Sequence, residues 1–452
     1  MLRLDLGNNG GRYCDGMGRR SFLQLGVAGL ATLGLSDLMR AKASANQQSK
    51  KTSVILIWLD GGPGHMDMYD MKPDAPAEYR GLWKPIRTRV PGFDVTEMYP
   101  KQARHTDKFS IVRSLHHNTG DHFAGGHRML TTKDMGVSGA NNDGKFPGIG
   151  SIVSREAGPR QPGMPAYVGV PHASSIGLTP GYFGGNLLGP RFNPFQTGGD
   201  PNAPTFNVQN INLAGGLTLG ALENRRSLLR SFDASRRALE GRADVQAMDR
   251  FQQEAYDFVA GPNARDAFDI SREDPKLRDR YGRNSWGQSV LLSRRLVEAG
   301  STFVTAHFGG WDHHWDLQAS YENYLPKVDA AVAALFEDLS ERGLLETTLV
   351  MLCGEFSRTP RMNDGSGRGT PGRDHWGESM FCLMGGGGIR GGQLYGSTDR
   401  LGQRPLDKPV TPSRIHATIY RVLGIDPNLQ VTDHSGRPIT VLDDPRPIDE
   451  LF

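Results

Sequence analysis

Residues 52–59 read TSVILIWL, an unbroken apolar, β-branched run that stops at Asp60-Gly61-Gly62-Pro63-Gly64. A short run without polar alternation, closed by glycines, predicts a strand buried on both faces of a sheet. The pattern recurs in FSIVRSL (109–115), TFVTAHF (302–308), TLVMLCGE (348–355) and MFCLMGGG (380–387). Between these runs lie stretches of helical period. SWGQSVLLSRRLVEAG (285–300) has an apolar stripe, a serine as candidate N-cap and a glycine stop. YLPKVDAAVAALFEDLSERGLL (324–345) and RIHATIYRVLG (414–424) repeat the 3.6-residue spacing. Strand–helix alternation of this kind predicts an α/β fold: a doubly wound, mostly parallel sheet with helices on both faces. One domain over 46–452 accommodates it. A helical and loop insertion is expected over about 175–265: residues 175–216 are rich in Gly, Pro and Asn and read as a surface excursion or lid, and 217–260 as charged helix.

In open sheets of this class ligands bind beyond the carboxyl ends of the strands. Asp60, FGGWDHHWD (308–316) and Glu355 fall at such ends. Four segments concentrate metal-type side chains. The first holds Asp60, His65, Asp67 and Asp70. The second holds His116, His117, Thr119, Asp121, His122 and His127. The third holds Asp312, His313 and His314, and the fourth Glu355, Arg358, Asp374 and His375. Most of the 13 histidines lie in these segments. Mixed carboxylate and imidazole sets suit zinc, manganese or iron, and two neighbouring ions would use so many donors. Arg358 is the candidate for gripping a phosphate or sulfate oxyanion bidentately. The plainer alternatives are that Asp60 caps a helix, that Asp67 and Asp70 pair with Lys72 or Arg80, and that single histidines are core or surface residues. His172, His416 and His434 are read that way.

The first 45 residues read as a leader rather than part of the fold. Arg19-Arg20 precede Phe22-Leu23, a mildly apolar Gly-rich stretch runs from 21 to 36, and Ala43-Ser44-Ala45 forms an A-x-A site. The pattern resembles a twin-arginine export signal, which predicts a periplasmic or secreted product with no membrane span after cleavage. Removing six of the 52 basic and three of the 49 acidic residues leaves 46 of each. A neutral mature chain carries no electrostatic footprint for nucleic acid. Cys14 leaves with the leader, and Cys353 and Cys382 are expected as buried thiols on neighbouring strands.

The motifs GGPGHMDMYDMKP (61–73), RSLHHNTGDH (113–122), GGWDHH (309–314), GEFSRTP (354–360), GRDHW (372–376), GGGGIRGGQLYGSTD (385–399) and IHATIYRVLGID (415–426) together resemble domain of unknown function family 1501. The likeness covers nearly all of the mature chain. That family is placed in the alkaline phosphatase and sulfatase superfamily. The resemblance therefore implies an alkaline phosphatase-like sandwich with a metal site at the strand ends, acting on phosphate or sulfate esters. It puts Asp60 at the first-strand metal aspartate, Asp312 and His314 at the later aspartate–histidine pair, and His375 at the last metal histidine. Glu355-Phe356 replaces an aspartate–histidine pair, with His65, Asp67 or Asp374 as possible compensating ligands. No sulfatase-type Cys precedes MLTT (129–132). Thr119 is the candidate activated hydroxyl, and His122 a candidate ligand or general acid. The expectation is a metal-dependent hydrolase holding one or two divalent ions (zinc, manganese or calcium), with a small-molecule or polysaccharide ester as substrate. The alternative is a non-catalytic binding protein for sulfated or phosphorylated polymers on the same scaffold.

Overall fold

A computed structural model describes residues 52–134, 145–209 and 261–452, with a few positions between 221 and 258. The expected leader and most of the charged 217–260 stretch lie outside the described residues. The remainder is built on an eight-stranded sheet. Its strands are β1 (Ser53–Leu59), β2 (Phe109–Leu115), β3 (Tyr167–Val170), β4 (Phe195–Gln196), β5 (Phe303–Phe308), β6 (Thr348–Cys353), β7 (Met380–Gly385) and β8 (Leu394–Tyr395). In space they follow the order β8-β2-β7-β6-β1-β5-β3-β4. All neighbours pair in parallel except β7, which runs against both β6 and β2.

β1 sits between β5 and β6, in register from Val54↔Phe303 and Ser53↔Thr348. All seven of its residues are buried. Ile55, Ile57 and Leu59 enter one core, and Val54, Leu56 and Trp58 the other. That two-sided burial is the physical reason the run lacks alternation. Helices cover both faces. α1 (His122–Thr131), α2 (Ile149–Ala157) and a C-terminal helix, Pro412–Leu423, contribute Met129, Ile152 and Ile415 to the core with Trp58. Ser285–Ala299 and Leu317–Glu341 contribute Leu292 and Val328 to the opposite one.

Two helix starts differ from expectation. Asn284, not Ser285, caps the helix at 285, its Oδ1 accepting from Gly287 N–H at 3.1 Å. The long helix begins seven residues before Tyr324, at Leu317, because Leu317, Tyr321, Leu325 and Val328 already form its buried stripe. Cys353 and Cys382 are free, buried and on paired strands, as the sequence suggested. No helix among the described residues is long and apolar enough to cross a membrane.

The C-terminal helix gives one stability prediction. His416 is buried and donates Nε2–H to Met129 O at 2.8 Å. Burial lowers its pKa from 6.5 to about 4, so the folded state holds it neutral. The unfolded chain protonates first, so the contribution of His416 is complete above the ordinary pKa and lost as pH falls toward 4. Between about pH 8 and about pH 5 the wild type is expected to lose about 2 kcal/mol more than His416→Gln. Urea midpoints at the two pH values check this; equal losses would remove His416 from the acid response.

Candidate metal centre

The site begins with a close approach. Gly61 follows Asp60 at the end of β1 with φ +115°, and a Cβ there would lie 2.6 Å from Asp312 N. Glycine is thus required for the β1 and β5 loops to touch. Trp311 N–H donates to Asp60 O at 3.0 Å, fixing the two loops together. From the end of β6, the buried Glu355 accepts Gly61 N–H with both oxygens, at 2.8 and 3.1 Å. Three loops from three adjacent strands therefore converge on one rim.

Three histidines share one arrangement. His122 Nδ1 meets Glu355 Oε1 at 2.7 Å, His314 Nδ1 meets Asp374 Oδ1 at 2.7 Å, and His375 Nδ1 meets Gly120 O at 2.6 Å. Carboxylates and carbonyls accept only, so each Nδ1 is assigned its proton and each Nε2 is turned the other way. Those Nε2 atoms converge on Asp312. His314 Nε2 and His375 Nε2 each lie 3.1 Å from Asp312 Oδ1 and 3.0 Å from each other. His122 Nε2 lies 3.3 Å from Asp312 Oδ2, buried and without a hydrogen-bond partner. One donor atom each from His122, Asp312 and His375 falls within 4.8 Å of the others. His314 adds a fourth on the same carboxylate.

The electrostatics follow. Burial opposes a charge on His122, but Asp312 and Glu355 flank it and lift its pKa to about 9. Burial would raise the Asp312 pKa, yet His122, His375 and Arg358 hold it far below the carboxylate range. Burial lowers the His375 pKa against the pull of Asp312, aided by the charge of Arg358. A neutral His375 with its proton on Nδ1 presents a lone pair to a carboxylate oxygen. Lone pairs facing one another near 3 Å repel unless a cation lies between them. The set fits a metal: bond lengths of about 2.0 Å put tetrahedral ligand atoms roughly 3.3 Å apart, close to the separations found here.

The other candidates from sequence take different places. Glu355 and Asp374 stand behind histidines and orient them. Arg358, expected to grip a substrate oxyanion, is wholly buried and its donors meet the protein's own oxygens. Its Nε donates to Gly62 O at 2.8 Å and its Nη1 to Arg373 O at 3.1 Å, while its Nη2 serves Gly61 O and, at 2.6 Å, Asp312. It positions Asp312. His65 and Asp67 do not join the donor set, because each has another partner. His65 Nδ1 meets Ser357 Oγ at 2.7 Å and its Nε2 meets Gly402 O at 2.8 Å. Asp67 is the buried counter-ion of Arg373, at 3.0 Å. Asp70 pairs with Lys72 at 3.3 Å, as the sequence allowed. Thr119 Oγ accepts Asp121 N–H at 3.2 Å in the turn that leads into α1. His117 donates to Glu355 O at 2.6 Å. His313 packs against Tyr321 and Tyr324, and burial takes its pKa down to about 4.

Asp60 is engaged elsewhere. Its Oδ1 accepts Ser175 Oγ–H at 2.7 Å, and its Oδ2 accepts Ile176 N–H at 2.7 Å and meets His307 Nε2 at 3.1 Å. Sequence reasoning missed His307 and Ser175. The only hint was a histidine breaking the apolar run one residue before the end of β5.

No curated protein matches the chain. Among solved structures it is similar to the PsFucS1 sulfatase from Pseudoalteromonas sp. at 15% identity, with a TM-score of 0.37 over 87% of this chain and 71% of that one. It is similar to an alkaline phosphatase superfamily protein from Vibrio parahaemolyticus at 9% identity, with a TM-score of 0.35 over 83% and 67%. It is also similar to the phosphonate monoester hydrolase SpPMH from Silicibacter pomeroyi at 11% identity, with a TM-score of 0.35 over 82% and 73%. A family described as "Protein of unknown function (DUF1501)" matches residues 51–452. That match takes in every described residue, and the chain belongs to the DUF1501 family.

Proposed function

We propose that this chain is an exported, metal-dependent hydrolase of phosphate or sulfate esters. The observation that carries the reading is the convergence of His314 Nε2 and His375 Nε2 on Asp312 Oδ1, each imidazole with its Nδ1 proton already committed. Asp312, His314 and His375 would hold the ion. Two imidazoles in the set favour zinc, with manganese second, and disfavour calcium, which takes six or more oxygens. When bound, such an ion supplies Lewis acidity toward the charge that develops on the ester oxygens.

The protein's own groups supply the proton chemistry. His122 lies between two carboxylates, which in the metal-free protein lift its pKa to about 9. Glu355 anchors Nδ1, leaving Nε2 as the position from which a proton passes to a leaving-group oxygen. Arg358, beneath Asp312, keeps that carboxylate ionised and aimed. Export through the twin-arginine route, which carries folded proteins, would suit a chain that acquires its ion before crossing.

A non-catalytic binding protein for sulfated or phosphorylated polymers is the second reading. The placement of Thr119 favours it: its hydroxyl serves a turn instead of meeting any atom of the donor set. Zinc titration with p-nitrophenyl phosphate and p-nitrophenyl sulfate assays separates the two. Zinc-dependent turnover lost in Asp312→Asn supports the hydrolase. Saturable binding of inorganic phosphate or sulfate without turnover supports the second reading, and a chain with no affinity for zinc or manganese sinks the first.

Asp374 tests the outer layer. Its side chain is more than half exposed, so removing its charge should leave the fold intact. Asp374→Asn is expected to lower zinc affinity about 10- to 100-fold, because the carboxamide no longer enforces the His314 tautomer. Competition with a chelator measures it; unchanged affinity would place His314 outside the centre.

A further inference from the structure

We infer that the chain holds a single divalent ion, on the Asp312 side, and that the Asp60 side has become a clasp fastening residues 171–178 over the strand ends. The inference rests on the metal reading above and narrows it.

The two sides differ in where their protons point. At Asp312, two imidazoles turn unprotonated Nε2 atoms toward the carboxylate, since each Nδ1 has an acceptor. At Asp60 the donors point inward. Ser175 O–H and Ile176 N–H both donate to the carboxylate, and a peptide nitrogen has no lone pair to offer an ion. His307 reaches Asp60 through Nε2, and among the described residues no acceptor meets its Nδ1. Its proton therefore belongs on Nε2, where it bonds Asp60 and blocks ligation. Glu355 is filled in the same sense, by Gly61 N–H on both oxygens and by His122 Nδ1–H. The next residue, Phe356, offers only a ring face, 4.9 Å from the His122 ring and 4.5 Å from that of His375. Among the described residues no second trio of ligand atoms gathers as those of His122, Asp312 and His375 do.

What the Asp60 side does instead is visible in the loop it grips. Ser175 and Leu178 exchange backbone hydrogen bonds at 2.9 Å, closing a tight turn. Its second residue, Ile176, has φ +47°, a conformation β-branched residues rarely adopt. The Ile176 N–H bond to Asp60 helps to hold that backbone in place. The turn presents Ile176 and Leu178 to solvent, 40% and 47% exposed. Asp60 is thus a positioning residue for a turn whose exposed side chains are apolar.

The test is metal stoichiometry of the full chain, loaded with zinc, dialysed and measured by mass spectrometry. Amide exchange at 174–178 is followed in parallel. Wild type is expected to retain one zinc, Asp312→Asn none, and Asp60→Asn and Ser175→Ala one each with unchanged affinity. Exchange at 174–178 should rise at least about tenfold in Asp60→Asn as the clasp opens. Two zinc ions per wild-type chain overturn the inference and leave the metal reading standing. Loss of zinc from both Asp60→Asn and Ser175→Ala does the same. Unchanged exchange in folded Asp60→Asn overturns the clasp. A wild type that binds no zinc overturns the metal reading itself, and this inference with it.

Discussion

Replacing Asp312 with asparagine is expected to lower zinc affinity by more than about 100-fold, since groups one layer further out are already worth 10- to 100-fold. The change removes the negative charge of the carboxylate on which His314 and His375 both converge, so hydrolysis should fall with it. Asparagine is the informative substitution and alanine is not. Arg358 is buried and donates to Asp312 Oδ1 at 2.6 Å. The carboxamide oxygen still accepts that bond, whereas alanine removes the acceptor as well as the charge and leaves a buried guanidinium donor unsatisfied, at a further cost of about 1–3 kcal/mol. An affinity loss in Asp312→Asn with a near-native melting temperature thus reports on the centre alone. In the metal-free protein the same variant should lower the His122 pKa from about 9, because one of its two flanking carboxylates is neutralised. Histidine proton resonances followed against pH would show it. Retained zinc affinity in Asp312→Asn would exclude this residue as a ligand.

The strands that carry the site were legible because burial on both faces removes polar alternation, and β1, β2, β5, β6 and β7 all leave that mark. β3 did not. It is four residues, YVGV, followed at once by Pro171, too short to separate from a turn. α1 was hidden for a different reason. Its Gly125-Gly126 pair argues against a helix by propensity, yet a Cβ at 125 would come within 3.0 Å of Glu355 O and one at 126 within 2.5 Å of the Tyr182 ring. The close packing that needs those glycines also brings His122 to Glu355, so tertiary contact overrides the local signal. The strand-end rule put Asp60, Asp312, His314 and Glu355 on one rim, while His375 came from the ligand-rich GRDHW segment and the family resemblance. Which carboxylates face the donor set and which stand behind a histidine was not legible, because the two roles use the same residue types. Only the Nδ1 partners distinguish them.

Asp67 and Arg373 illustrate the same ambiguity from the stability side. An aspartate two residues after His65 reads as a ligand, yet both partners are wholly buried and far from free. Asp67 Oδ2 lies 3.0 Å from Arg373 Nε, and its Oδ1 also accepts Leu82 N–H at 3.0 Å. Arg373 spends its other donors on the carbonyls of Thr359, Pro360 and Arg80. The pair ties the β1 loop to the segment that ends in Asp374 and His375. Asp67→Ala is expected to destabilise the fold by about 3–5 kcal/mol, because it strands a buried guanidinium. Asp67→Ala/Arg373→Met should recover much of that loss, since the uncompensated charge goes with the arginine; the orphaned carbonyls keep recovery incomplete. Denaturant unfolding of the single and double variants gives the coupling. Zinc titration of the folded double variant then separates the roles. Affinity near that of the wild type assigns Asp67 to the scaffold, and loss of the ion without loss of stability would return it to the centre.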